Sequence, residues 1–137
     1  MNWDTHEVSA KAAIYNQSAT QVLVMVYANG RAYGLPGGHL DAGETPIQAM
    51  SRELVEELGT SIDFHLHPQE FYIRSDGEVK GRLILGYTAQ IPDDTEFIFE
   101  SHDNEEYAVW MDRETLATTP IADGYRTFVE NHWPTVA

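Results

Sequence analysis

The 137-residue chain has no cysteine, which excludes disulfides and thiolate metal sites, although that alone does not decide the compartment. Positive charge is scarce: 8 Lys and Arg against 22 Asp and Glu leave a formal net charge of -14. A surface of that sign repels a polyanion, so long nucleic acid is not an expected partner. A small phosphorylated ligand stays compatible if a metal ion bridges it to the protein. No run approaches the roughly 20 apolar residues needed to cross a membrane. Met1 to Ala10 lacks a basic segment followed by an apolar one, so no signal peptide is visible. A cytoplasmic protein without a membrane partner is the expectation. Low-complexity tracts and internal repeats are missing too, which argues against a disordered chain or a solenoid. The length suits a single domain over residues 1–137, long enough to bury a core.

What is present is patterned. Val8, Ala10, Ala12 and Ile14 alternate as a half-buried strand does, and Gln21 to Ala28 is rich in β-branched and aromatic residues. Asn16 to Ala19 is a turn between them, and Asn29-Gly30 is a hairpin signal. Leu35 to Glu44 is expected to be a loop bent by its glycines. A helix follows: Thr45 as N-cap, Pro46 at the first position, Gln48 completing a capping box, and Gly59 just past the end. Ile47, Met50, Leu54 and Leu58 form its apolar stripe. Phe71 to Arg74 and Lys80 to Ile91 are expected strands around a turn at Ser75 to Gly77, with Leu83, Leu85, Tyr87 and Ala89 on one face. Glu105 to Met111 is another strand, followed by a helical turn capped by Asp112. A last helix is expected from Thr119 and Pro120, with Ile121, Tyr125, Phe128 and His132 inward. Helices on both faces of a mixed sheet bury both stripes, an α/β class fold.

The central helix carries a second pattern. Glu53, Glu56 and Glu57 fall at i, i+3 and i+4, gathered on a flank beside the apolar stripe. Each like-charge pair costs roughly 0.2–0.5 kcal/mol. Arg52, four residues before Glu56, relieves one of them and not all three. Such glutamates by themselves would be read as a solvated acidic face. A hard dication such as Mg²⁺ or Mn²⁺ would also absorb the excess, because carboxylate oxygens without sulfur suit that class of ion.

The loop before the helix tips the choice. The run Gly38 to Thr60 resembles the Nudix box, whose pattern is Gly, five residues, Glu, seven residues, then Arg-Glu-apolar-any-Glu-Glu-any-Gly-apolar. Gly38, Glu44, Arg52, Glu53, Leu54, Glu56, Glu57 and Gly59 match it. Thr60 stands where the family has an aliphatic residue and Asp41 where many members carry Glu; neither is an expected metal ligand. The resemblance implies an α/β/α sandwich with a mixed sheet between helices. It also implies a metal-dependent hydrolase in which water attacks phosphorus of a diphosphate linkage. The substrate would be a nucleoside diphosphate derivative or a nucleoside triphosphate.

Carried over residue by residue, Glu53, Glu56 and Glu57 become the metal ligands, joined by the Gly38 carbonyl. Glu44 and Arg52 become a supporting pair between loop and helix, with Arg52 also a candidate substrate contact; His39, inside the loop, could touch phosphate or be a tolerated variable position. Family members take a further carboxylate from a distant segment, as ligand or general base; Glu105 and Glu106 lie in that region. Mg²⁺ is the implied cofactor, with Mn²⁺ as a substitute, and a monomer or homodimer is compatible. An alternative is a non-catalytic Nudix-like module that senses a nucleotide, but such modules often lose box glutamates that are intact here. An isoprenoid-diphosphate isomerase shares the fold but would be expected to use a cysteine. The pair His65 and His67 could bind zinc, although the partners of a tetrahedral site are not evident. Trp110 and Trp133 are expected packing residues. Ser75 stands where ADP-ribose hydrolases often carry proline, so the substrate is not readable from the box.

Overall fold

The computed structural model describes residues 7–27, 32–59, 64–74, 82–97 and 106–135. Along the chain these form β1 (Glu7–Asn16), β2 (Val22–Tyr27), β3 (Ala32–Gly34), β4 (Gly37–His39), α1 (Pro46–Leu58), β5 (His67–Arg74), β6 (Arg82–Ile91), β7 (Tyr107–Met111), α2 (Arg113–Thr118) and α3 (Asp123–Asn131). The turns expected at Asn29-Gly30 and Ser75 to Gly77, together with Thr60 and Glu105, lie outside the described residues.

The strands make one mixed sheet in the order β3-β2-β1-β6-β5, with β4 added to β1 and β7 to β2. β1 and β6 run parallel over their whole length, from Glu7 opposite Arg82 to Asn16 opposite Ile91, and the other pairs are antiparallel. Beside their connecting turn β1 and β2 pair at Tyr15 and Val22. Beyond that point the sheet forks. Ala12 N–H donates to the Pro36 carbonyl at 2.9 Å, and Ser9 to Lys11 pair with β4. β2 instead pairs with β3 and β7. The fork opens a gap in the sheet, and the residues expected to do chemistry gather around it.

Alternation along the strands sorts side chains onto two faces. Ala10, Ala12, Ile14, Leu85, Tyr87 and Ala89 face one way and pack under Met50, Leu54 and Leu58 of α1. Ala13, Tyr15, Val24 and Ile84 face the other way and pack under Leu116 of α2 and Tyr125, Phe128 and Val129 of α3. Trp110 packs against the first core and Trp133 against the second, as expected of them. Each fully buried aliphatic side chain contributes about 1.5–3 kcal/mol, so three such residues fasten α1 firmly to the sheet.

α1 begins as its sequence dictates. Gln48 N–H donates to Thr45 Oγ1, Thr45 N–H donates to Gln48 Oε1, and Gly59 closes the helix. Its buried stripe is Ala49, Met50, Leu54 and Leu58, not one that includes Ile47, which is exposed at the start of the helix. Two further expectations change. The glycine loop contains a strand, β4, because three of its residues find partners on β1. The last helix starts at Asp123, not Thr119: the Thr119 hydroxyl donates to the Thr115 carbonyl, and Arg126 donates to the carbonyls of Leu116, Thr119 and Ile121. Thr119 therefore closes α2, and His132 caps α3 with its ring 4.7 Å from that of Phe128.

Candidate active site

Two glycines bring the backbone against the acidic helix. Gly37 has φ +130°, and a Cβ there would lie 2.0 Å from the Ala10 carbonyl oxygen. A Cβ on Gly38 would lie 2.6 Å from Glu53 Oε1. At Gly37 only a residue without a side chain lets β4 lie on β1, whereas a side chain at position 38 would push the flexible end of Glu53 aside.

Arg52 ties the loop to α1. Its Nε and Nη2 donate to the two oxygens of Glu44 at 2.8 and 2.9 Å, a bidentate pair. Nη2 also donates to the His39 carbonyl at 3.1 Å, and Nη1 to Glu53 at 3.0 Å and Glu56 at 3.3 Å. These bonds from Arg52, with the Asp41 N–H, hold the Glu44 carboxyl down at about 2. Hydrogen bonding to Glu44 likewise raises Arg52 above its ordinary value.

Glu57 lies deeper. Its Oε1 accepts the Gly37 N–H at 2.7 Å and its Oε2 accepts the Tyr27 hydroxyl at 3.3 Å. Burial pushes its carboxyl up to about 7, against the lowering effect of the Gly37 N–H and Lys11; Glu53 and Glu106 add to the rise. Lys11, buried in the middle of β1, donates to the carbonyls of Leu35 at 3.3 Å and Gly37 at 3.1 Å. It holds the segment between β3 and β4 in place across the fork.

These groups line a cleft of about 460 Å³, within the range of small-molecule sites. Glu53, Glu56, Glu57, Glu106 and Lys11 stand on its wall with Tyr27, Tyr33, Tyr125 and Arg82. Of the two carboxylates expected from outside the box, Glu106 is brought to the cleft and Glu105 lies outside the described residues. The His39 imidazole meets Glu7 at 3.3 Å at the margin. Sequence reasoning did not single out Lys11, Tyr27, Tyr33, Tyr125 or Arg82 as cleft residues. Lys11 had a signal, as a lone charge within Ala10 to Ile14; the tyrosines look like ordinary core positions.

The donor set suits a hard dication: carboxylate oxygens and a backbone carbonyl, with local negative charge that Lys11 does not balance. As the side chains stand, no three His, Cys, Asp or Glu among the described residues form a group that could hold a metal ion. Arg52 engages Glu53 and Glu56, and the Gly37 N–H engages Glu57. A second cavity, of about 270 Å³, collects His65, His67 and His132 beside Tyr15, but these form no such group either. No helix among the described residues is long and apolar enough to cross a membrane.

The comparisons with known proteins agree with this geometry. The chain is 31% identical over 120 residues to the U8 snoRNA-decapping enzyme of Homalodisca vitripennis, a match covering 84% of this chain and 63% of that protein. It thus spans less than two thirds of that relative's length. Among solved structures, the E. coli dihydroneopterin triphosphate pyrophosphohydrolase superposes with TM-score 0.77 at 19% identity, covering 95% of this chain and 98% of the other. A MutT NUDIX hydrolase from Burkholderia pseudomallei superposes with TM-score 0.77 at 22% identity, covering 94% and 99%. A model of the NUDIX domain matches residues 5–132, and with the forked sheet and the box glutamates at its gap this places the chain in the Nudix family.

Proposed function

We propose that the chain hydrolyses a diphosphate linkage in a nucleotide derivative, with Glu53, Glu56, Glu57 and the Gly38 carbonyl holding Mg²⁺, or Mn²⁺ in its place. One observation carries the reading: Glu57 lies largely buried beside Glu53 and Glu106, in a cleft large enough for a nucleotide, with more negative charge than its surroundings offset. The name of the decapping relative supports an enzymatic reading. Family resemblance supports the metal. When bound, the cation supplies positive charge that offsets repulsion between the diphosphate and an attacking water.

The chain's own residues do the rest. Lys11 and Gly37 fix the backbone beside Glu57, so the site is held by β-structure on one side and by α1 on the other. Arg52 couples the Glu44 loop to the helix and orients Glu53 and Glu56. Glu106, which also lines the cleft, would accept a proton from water, a general-base role that depends on hydrogen-bond reach.

A hydrolysis screen tests this, over nucleotide sugars, ADP-ribose, dinucleoside polyphosphates, dinucleotide cofactors and nucleoside triphosphates, with and without Mg²⁺. Glu56→Gln and Glu57→Gln are expected to lower turnover by about two orders of magnitude with unchanged circular dichroism. Full activity in both variants would remove the metal assignment. Tight metal-independent binding without turnover would instead identify a nucleotide sensor.

A further inference from the structure

Lys11 is a charge placed where charge is costly. It is 8% exposed in the middle of β1, between the fully buried Ala10 and Ala12. Taking an ammonium out of water is unfavourable unless oxygen atoms replace its hydration. Two carbonyls do so here, Leu35 at 3.3 Å and Gly37 at 3.1 Å. Gly37 is gripped at both ends, because its N–H donates to Glu57 Oε1 at 2.7 Å. One residue thus links the ammonium to the buried carboxylate of the box. Burial raises the Glu57 carboxyl, and the Gly37 N–H and the Lys11 charge lower it. Other cations around the cleft are turned to other acids: Arg52 to Glu44, Glu53 and Glu56, and Arg82 to Glu7 at 3.4 Å.

We propose that Lys11 is a resident counter-ion of the cleft, a built-in positive charge beside Glu57 that lowers the affinity of the box for a dication. This rests on the diphosphate-hydrolase reading and concerns how tightly that site holds its metal. Carbonyl and carboxylate oxygens are the surroundings that a hard dication also takes, so ammonium and dication draw on the same negative charge. Salt screens a buried charge weakly, and Lys11 is buried on the cleft wall. Lys11 also has a supporting role, through its two carbonyl contacts, and magnitudes decide between the two effects. At an effective dielectric of about 20, a unit charge and a dication a few ångströms apart interact more strongly than two hydrogen bonds contribute net. Removing the charge therefore strengthens metal binding, even though the hydrogen bonds to Leu35 and Gly37 are lost with it.

Mn²⁺ binding without substrate, followed by electron paramagnetic resonance, tests this in wild type, Lys11→Met, Lys11→Gln, Lys11→Arg and Glu57→Gln. Lys11→Met removes the charge and keeps an unbranched stem, and Lys11→Gln keeps a neutral donor should the first variant fold poorly. Both neutral variants are expected to bind Mn²⁺ about tenfold tighter than wild type, with Lys11→Arg within about twofold of it. Glu57→Gln is expected to bind more weakly. In thermal melts, Mg²⁺ should raise Tm further in the neutral variants than in wild type, and melts in EDTA establish that each variant is folded. Unchanged or weaker Mn²⁺ binding in the folded neutral variants overturns the proposal; weaker binding would make Lys11 a support for the Gly37 backbone only. Equal affinity in wild type and Glu57→Gln places Mn²⁺ elsewhere and overturns both the proposal and the metal assignment. Tighter Mn²⁺ binding in the neutral variants with no hydrolysis of any diphosphate supports the counter-ion and removes the hydrolase reading.

Discussion

At the scale of single residues, Glu57 is where folding and function pull against each other. Its carboxyl has an ordinary value near 4.5 and is raised to about 7 in the fold, chiefly by burial. Between those values the folded chain holds a proton that the unfolded chain has lost, so stability falls as pH rises through this window. The loss is at most about 3–4 kcal/mol at 1.36 kcal/mol per pH unit. Urea unfolding in EDTA at pH 5 and pH 8 is expected to show this decline in the wild type and little of it in Glu57→Gln. Parallel behaviour of the two would mean that Glu57 is ionised in the folded state. A dication beside Glu57 favours the charged form, so Mg²⁺ should flatten the decline. The opposite case is Glu44, whose carboxyl is held down at about 2, first by Arg52. Its contribution is full above its ordinary value and fades as pH falls toward 2.

At the scale of elements, α1 is both the anchor of one core and the carrier of the acidic flank, so its start sets the register of everything after it. The capping box at Thr45 and Gln48 satisfies donors that the first turn leaves open. Thr45→Ala is expected to cost about 1 kcal/mol, lowering Tm by a few degrees in a thermal melt; an unchanged Tm would mean that Pro46 alone suffices to start the helix. α1 was legible because a cap, a stripe and a stop each have their own chemistry. The start of α3 was not. Thr119-Pro120 has the composition of a helix start, but Arg126 bonds the carbonyls around it, and that depends on a side chain returning from the next turn. β4 was hidden for a related reason: glycines have no strand preference, and Gly37 to His39 became a strand by pairing with β1.

At the scale of the whole molecule, a net charge of -14 repels itself in the compact state. Raising NaCl from roughly 10 to 200 mM shortens the screening distance from about 30 Å to under 10 Å. It is expected to raise Tm by about 2–4 °C without any divalent ion. A flat or falling Tm would show that the surface acids are already balanced locally, as Arg52 balances Glu44. Against that excess, Arg82 and Lys11 bring positive charge to the cleft wall.

The amino-acid sequence by itself determined the local features: the capped helix, its apolar stripe, the three glutamates on its flank and the glycines before it, since each depends on neighbours within a few turns of chain. Tertiary structure decided which groups meet the glutamates. Lys11 comes from β1, Tyr27 from β2, Arg82 from β6, Glu106 from just before β7 and Tyr125 from α3. They converge because β1 and β2 part and leave a gap in the sheet, and strand pairing over long separations is set by the packing of two faces at once, which no short stretch of sequence encodes.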